Sequence, residues 1–194
     1  VSGVQYTGLD SSIEARGKAQ SKGVEVINES IETHALSHRE GYDFVVSFQS
    51  LEHVADPSAF LMAAAACIRP SGKLVVVVPS DDSFLRFAAN APLNMPPHHV
   101  TRWPDRTLRE IAKRLGLKLS IVHHEPLQDI HSEWAFSVMA GAILGRGKRL
   151  VERRDSVFAK VISRMSGILG GVLSRRLPRE FWPCGHSVIA VYTK

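Results

Sequence analysis

Four successive valines, Val75 to Val78, follow Leu74 and stop at Pro79, and no other segment constrains the chain as strongly. β-Branched residues without polar alternation fit a strand covered on both faces; a surface helix or a half-wet strand would show a polar side. A strand of that kind belongs in the middle of a parallel sheet, which needs crossover helices packed on it. The flanking sequence supplies the alternation. Val4–Leu9 predicts a short strand ending in Asp10-Ser11-Ser12, good N-cap residues, and Ile13 to Lys22 a helix closed by Gly23. Val24–Ile27 predicts a second strand. Asp43–Phe48, nearly continuous in apolar residues, predicts a third strand buried on both faces. Asp56-Pro57 opens a helix running to Ile68 through Ala63–Ala66, and Pro70-Ser71-Gly72 reads as a turn.

Beyond Pro79, residues 80–104 contain Pro92, Pro96, Pro97 and Pro104 and predict irregular chain. Asp105 then opens an amphipathic helix with Leu108, Ile111, Ala112 and Leu115 on one face and Gly116 at its end. Leu117–Val122 predicts a strand, 130–178 mostly helix, and His186–Tyr192 a closing strand. The order implies right-handed βαβ units in a doubly wound α/β sheet, where ligands sit beyond the carboxyl ends of the strands.

Composition narrows the function classes. With 194 residues, 44% of them hydrophobic, the chain reads as one globular domain: a core at 1–129, a helical basic insertion or lid at 130–180 and a closing strand at 181–194. Two cysteines exclude a disulfide framework, no Cys/His spacing matches a structural zinc site, and no apolar run approaches the roughly 18 residues that span a bilayer. A cytoplasmic enzyme or binding domain is the expectation. The net charge of +5 belongs to one late segment, since residues 144–180 hold ten basic and three acidic residues. Confined charge and 7% aromatic residues argue against nucleic-acid binding. Within that segment, Val157–Met165 has the pattern of a basic amphipathic helix. It suits an anionic membrane or a lipid-like substrate, but a lid or packing helix with a solvated basic face is the preferred expectation.

The chemistry-bearing residues follow the strands. Asp10 can accept two hydrogen bonds from vicinal ribose hydroxyls, or cap the helix from Ile13. Glu29-Ser30-Ile31 can hold the edge and face of a purine, or be an exposed loop. Gln49-Ser50-Leu51-Glu52-His53-Val54 carries an adjacent Glu-His pair at a sheet edge; it reads as a cofactor floor, a proton-transfer pair, part of a metal site, or a turn whose His53 bonds the backbone.

Three stretches together resemble class I S-adenosylmethionine-dependent methyltransferases of the small-molecule branch, which includes ubiquinone-biosynthesis and sugar methyltransferases. They are Tyr6–Ser12, Tyr42–Pro57 (with Gln-Ser-Leu-Glu-His-Val at its centre) and Ile68–Leu74; Gly185–Lys194 looks like that family's antiparallel closing strand. The resemblance implies a Rossmann-like, mostly parallel sheet and S-adenosylmethionine as cofactor. It makes Asp10, with Ser11, the ribose ligand, puts Glu29, Ser30 and Ile31 around the adenine, and sets Phe48, Gln49 and His53 near the methionine part. His98 and His99 fall where the branch places substrate-facing residues, fit to take a proton from an attacking hydroxyl or amine, or to fix the loop before the Thr107 helix. Quinone-type members carry Glu-x-x-Glu-His, which can hold a divalent metal; with Gln49 at the first position, no metal is expected here.

The family's first strand, its helix and its glycine-rich loop precede Val4, and this sequence contains no Gly-x-Gly-x-Gly. The expectation is therefore methyl transfer to a small-molecule acceptor, with weak cofactor binding by this polypeptide alone. The rival is a non-catalytic module of the same fold used for binding or scaffolding, and an oligomer stays open.

Overall fold

The computed structural model describes residues 3–88, 94–144 and 157–194. Its strands are β1 (Gly8–Leu9), β2 (Val26–Ile27), β3 (Tyr42–Phe48), β4 (Ile68–Pro79), β5 (Lys118–Pro126) and β6 (Cys184–Thr193). The helices are α1 (Ile13–Gln20), α2 (Ile31–His34), α3 (Pro57–Cys67), α4 (Asp105–Leu115), α5 (Asp129–Leu144) and α6 (Val157–Arg176). A 3-10 turn, Phe84–Phe87, interrupts the stretch expected to be irregular.

The strands form two sheets. β3-β4-β6-β5 is one, with β3 parallel to β4 and β6 antiparallel to both β4 and β5; β1 and β2 pair in parallel as a separate two-stranded ribbon. The α/β architecture and the antiparallel closing strand match the expectation. The first two strands are shorter than expected because β1 and β2 share only the pairs Gly8↔Val26 and Leu9↔Ile27.

β4 is the centre of the fold. Its residues Leu74, Val76 and Val78 are completely buried and pack with Leu61, Ala64, Leu108, Ile111 and Ala112 from α3 and α4 and with Val188, Ala190 and Tyr192 from β6. Each such side chain contributes roughly 1.5–3 kcal/mol by leaving water. Pro70-Ser71-Gly72 lies within β4 as a bulge, seen in the jump from Tyr42↔Ile68 to Phe44↔Lys73 and in the φ of +67° at Ser71. A Cβ at Gly72 would stand 2.8 Å from the Arg69 carbonyl oxygen and 3.0 Å from that of Asp43, so only glycine lets β3 close on this bulge.

β3 corrects one expectation. Val45 packs on the core and Ser47 is buried, but Phe44, Val46 and Phe48, on the alternate face, are 60%, 60% and 68% exposed. β3 is the last strand of its sheet, so its outer edge and this face border open space.

Local chemistry sets the helices. Asp56 Oδ1 accepts from Ser58 N (3.0 Å) and Ala59 N (2.9 Å), with Pro57 at the first turn of α3. The first amide of α4, at Asp105, donates to Asp82 Oδ2 at 2.7 Å, and Gly116, at φ +64°, ends that helix. A second core joins Phe84 and Leu85 to Ala135 and Phe136 of α5, with Leu173 of α6 and Trp182 packed against it. The basic run Gly145–Arg149 lies outside the described residues. No helix among the described residues is long and apolar enough to cross a membrane.

Candidate functional site

The carboxyl ends of β1, β2 and β3 face one another across a cavity of about 700 Å3. Asp10, Ser11, Glu29, Ser30, Ile31, Gln49 and His53 all line it. Phe48, His98 and His99 are not among its walls; Phe48 is exposed at the end of β3, while Phe44 and Val46 on the same face of the strand do line the cavity.

Each lining residue has a local reason for its position. Ser12, not Asp10, caps α1 by accepting from Ala15 N at 3.2 Å. Asp10 Oδ1 accepts from Ser12 N at 2.8 Å, and Asn28 Nδ2 donates to the Asp10 carbonyl at 2.9 Å. The capping alternative for Asp10 thus falls to its neighbour, while its second carboxylate oxygen stays available. Ser30 caps α2 through Thr33 N at 3.3 Å. Glu29 is pinned by a group the sequence reading missed: His34, fully buried, meets Glu29 Oε1 through Nδ1 at 2.5 Å and the Tyr42 hydroxyl through Nε2 at 2.7 Å. The His38 ring stacks on His34 with centroids 3.9 Å apart. Gln49, at φ +49°, sends Nε2 to Ser187 Oγ at 3.2 Å, which ties the end of β3 to β6.

A second cluster sits on the turn after β3. His53 Nδ1 lies 2.6 Å from the His98 carbonyl oxygen, which can only accept, so Nδ1 carries the proton and Nε2 presents its lone pair. That nitrogen is 3.9 Å from Glu52 Oε1. The His99 ring meets His53 edge-on at 4.9 Å, and its Nδ1 lies 3.4 Å from Asn94 Oδ1. His98 contributes its carbonyl while its side chain is exposed, so the two adjacent histidines have separate roles. The loop is held against the turn by Val100 N donating to the Glu52 carbonyl at 2.9 Å.

Glu52 is the anomaly. It is 1% exposed, and neither carboxylate oxygen has a hydrogen-bond partner. Burial raises its carboxyl above the ordinary range, against the pull of its own backbone amide and of His53. Burial also lowers the His99 imidazole, helped by the charges of His53, His98 and Arg102. One ligand atom from each of Glu52, His53 and His99 lies within 4.8 Å of the others. Two imidazole donors and an unpartnered carboxyl group fit a borderline divalent cation such as Zn2+ better than the oxygen-seeking Mg2+. The sequence signal for this cluster is the Glu-His pair; His99, 46 positions beyond His53, is singled out as substrate-facing, but nothing in the sequence places it beside that pair.

A family model described as a methyltransferase domain matches residues 1–123. The chain belongs to that family. A ubiquinone biosynthesis O-methyltransferase of Salmonella arizonae is 38% identical over 78 residues, covering 37% of this chain and 32% of that protein. The match therefore spans about a third of such a relative's length. Among solved structures, a SAM-dependent methyltransferase from Archaeoglobus fulgidus overlays with a TM-score of 0.60 at 16% identity, covering 99% of this chain and 77% of its own. The [4+2]-cyclase SpnF overlays with a TM-score of 0.56 at 12% identity over 98% of this chain and 66% of its own. These overlays establish the methyltransferase-domain fold; chemistry has to be argued from the site.

Proposed function

We propose that the chain is an S-adenosylmethionine-dependent methyltransferase domain acting on a hydroxyl of a small molecule. The observation that carries this reading is the Glu52–His53–His99 cluster, formed where the loop before α4 meets the turn after β3, with His53 also on the wall of the cavity where Asp10, Glu29 and Gln49 converge. In the cavity, Asp10 takes the ribose hydroxyls, Glu29 with Ser30 and Ile31 takes the adenine, and Gln49 and His53 stand at the methionine end. Glu29 is suited to its part because His34 fixes one oxygen and leaves the other free.

The cofactor brings an activated methyl group, so the protein's work is to align the acceptor with it, exclude water and remove one proton. The lowered imidazole of His99 is neutral near pH 7 and accepts that proton, with His53 beside it and Glu52 countering the charge. A second reading rests on the unpartnered buried carboxyl of Glu52 beside two imidazoles: the three donors would hold a divalent cation, which would acidify the acceptor hydroxyl. Chelation separates the two, because proton transfer to a histidine survives it and the cation reading does not.

The cofactor ligands are carried by two sheets that share no strand pairing among the described residues, so this polypeptide alone binds cofactor weakly. Titration with S-adenosylhomocysteine by calorimetry tests this, and micromolar affinity would overturn it. Assay of methyl transfer to phenolic acceptors, with His99→Gln and with chelator, tests the chemistry. We expect the substitution to lower kcat by about 100-fold or more. A chain that binds S-adenosylhomocysteine but transfers no methyl group to any acceptor would instead be the non-catalytic module.

A further inference from the structure

Helix α6 packs the wrong way round for an ordinary surface helix. Its docked side includes Ile162, Ser166 and Gly170, two of them small and all buried, with Leu173 half-buried against the second core. The helix sits close enough to α5 that a Cβ at Gly170 would fall 2.6 Å from the Ser137 amide nitrogen. Five other apolar residues point elsewhere. Val157, Val161, Met165, Ile168 and Val172 recur at steps of four, four, three and four, which lines them along one stripe of the helix. All are exposed, Val157 by 78% and Ile168 by 71%, with Leu169 beside them. The expected solvated basic face is therefore an apolar stripe with basic neighbours. Lys160, Arg164 and Arg175 border its one side, Arg176 its other, all exposed, and the helix contains no acidic residue.

We propose that this face of α6 lies on an anionic lipid bilayer, apolar stripe down, with the flanking cations on the headgroup phosphates. An apolar stripe edged by Lys and Arg is the arrangement of a helix lying in the plane of the interface, its side chains reaching about 5–10 Å in. The charge selects the occupant: two copies meeting stripe to stripe would set cation against cation, whereas phosphate headgroups neutralise them. The inference is independent of the methyl-transfer reading.

Sedimentation of the 194-residue protein with vesicles tests it, using phosphatidylcholine alone or mixed with phosphatidylglycerol, at low and high salt. The protein should pellet with the anionic vesicles and be released by salt. Val161→Asp combined with Ile168→Asp should weaken partitioning at least about tenfold. Arg164→Gln and Arg175→Gln should each weaken it about fivefold, and only on anionic vesicles. Circular dichroism on every variant checks that the fold is kept; the Gln variants remain decisive if the Asp pair unfolds. Absence of pelleting at low salt, equal pelleting with neutral vesicles, or a dimer broken by Ile168→Asp without vesicle binding would each overturn the proposal.

Discussion

β3 and β4 are hydrogen-bonded neighbours with nearly the same side-chain chemistry, and their surroundings differ sharply. In β4, Leu74, Val76 and Val78 are sealed between α3, α4 and β6; in β3, Phe44, Val46 and Phe48 are exposed, the first two on the wall of the open cavity. Apolarity records what a strand is built to touch, and burial records what it does touch. The two coincide in β4 and part company in β3. The cavity lies along the parting, between β3 and the small β1–β2 ribbon.

The contrast breaks most directly by truncating one side chain in each strand. Leu74→Ala should cost about 2–5 kcal/mol, since it removes a fully buried side chain from a core that cannot collapse around it. Phe44→Ala should change stability by only about 0.5 kcal/mol in either direction, as exposed positions do. Denaturant unfolding of both variants gives the comparison. A cost of several kcal/mol at Phe44 would mean that its face is covered in solution.

At the carboxyl end of β3 the difference concerns charge. A carboxylate buried without a partner is costly, and a divalent cation beside it relieves that cost. Under the cation reading, Zn2+ at about 100 times its dissociation constant should stabilise the protein by about 2.7 kcal/mol. That gain should vanish in Glu52→Gln and shrink in His99→Gln. Thermal melts of chelator-treated protein with and without the ion measure it; an equal rise in Tm for Glu52→Gln would place the ion elsewhere.

The seam between the two strands is the third place to press. Gly72→Ala would drive a methyl group against the Arg69 and Asp43 carbonyl oxygens, a backbone clash costing about 1–3 kcal/mol. The loss should fall on β3, because the bulge sits where its pairing with β4 jumps. Hydrogen exchange at the Val45 and Ser47 amides, which face β4, should quicken more than at Val76. Uniform quickening would mean that the two strands open as one unit.

The physical basis of what the sequence could tell is visible in the same elements. Periodicity and punctuation located α3, α4 and the carboxyl end of β4 to within a residue or two, because Asp56-Pro57, Gly116 and the valine run are local signals. The start of β4 at Ile68 was missed, because Pro70-Ser71-Gly72 reads as a turn and is a bulge inside the strand. Periodicity also read β3 as doubly buried, since a pattern of side chains carries no information on whether a neighbour is there to cover them. The polar residues following β1, β2 and β3 were legible as a group because topology sends such ends to one side. His34 was not, since its partners Glu29 and Tyr42 become neighbours only when β2, α2 and β3 assemble. His99 reached Glu52 in the same way, through a loop whose course no local pattern dictates.

The smallest effect expected is a difference in thiol reactivity. Cys184 is exposed, whereas Cys67, at the end of α3, is buried and has its thiol pushed up by that burial, against the charges of Arg39 and Lys194. The thiolate is the reactive form, so both effects protect Cys67. A thiol reagent at neutral pH should modify Cys184 promptly and Cys67 only as fast as its surroundings open. Cys67 also borders the cavity, on the side between α3 and the inner face of β3. Its labelling rate therefore reports on the open half of the molecule, and Gly72→Ala should raise it while Cys184 stays unchanged. If Cys67 instead labels only with global unfolding, in step with loss of the Leu74 core, then β3 and β4 share one cooperative unit, and the openness of β3 is confined to its outer face.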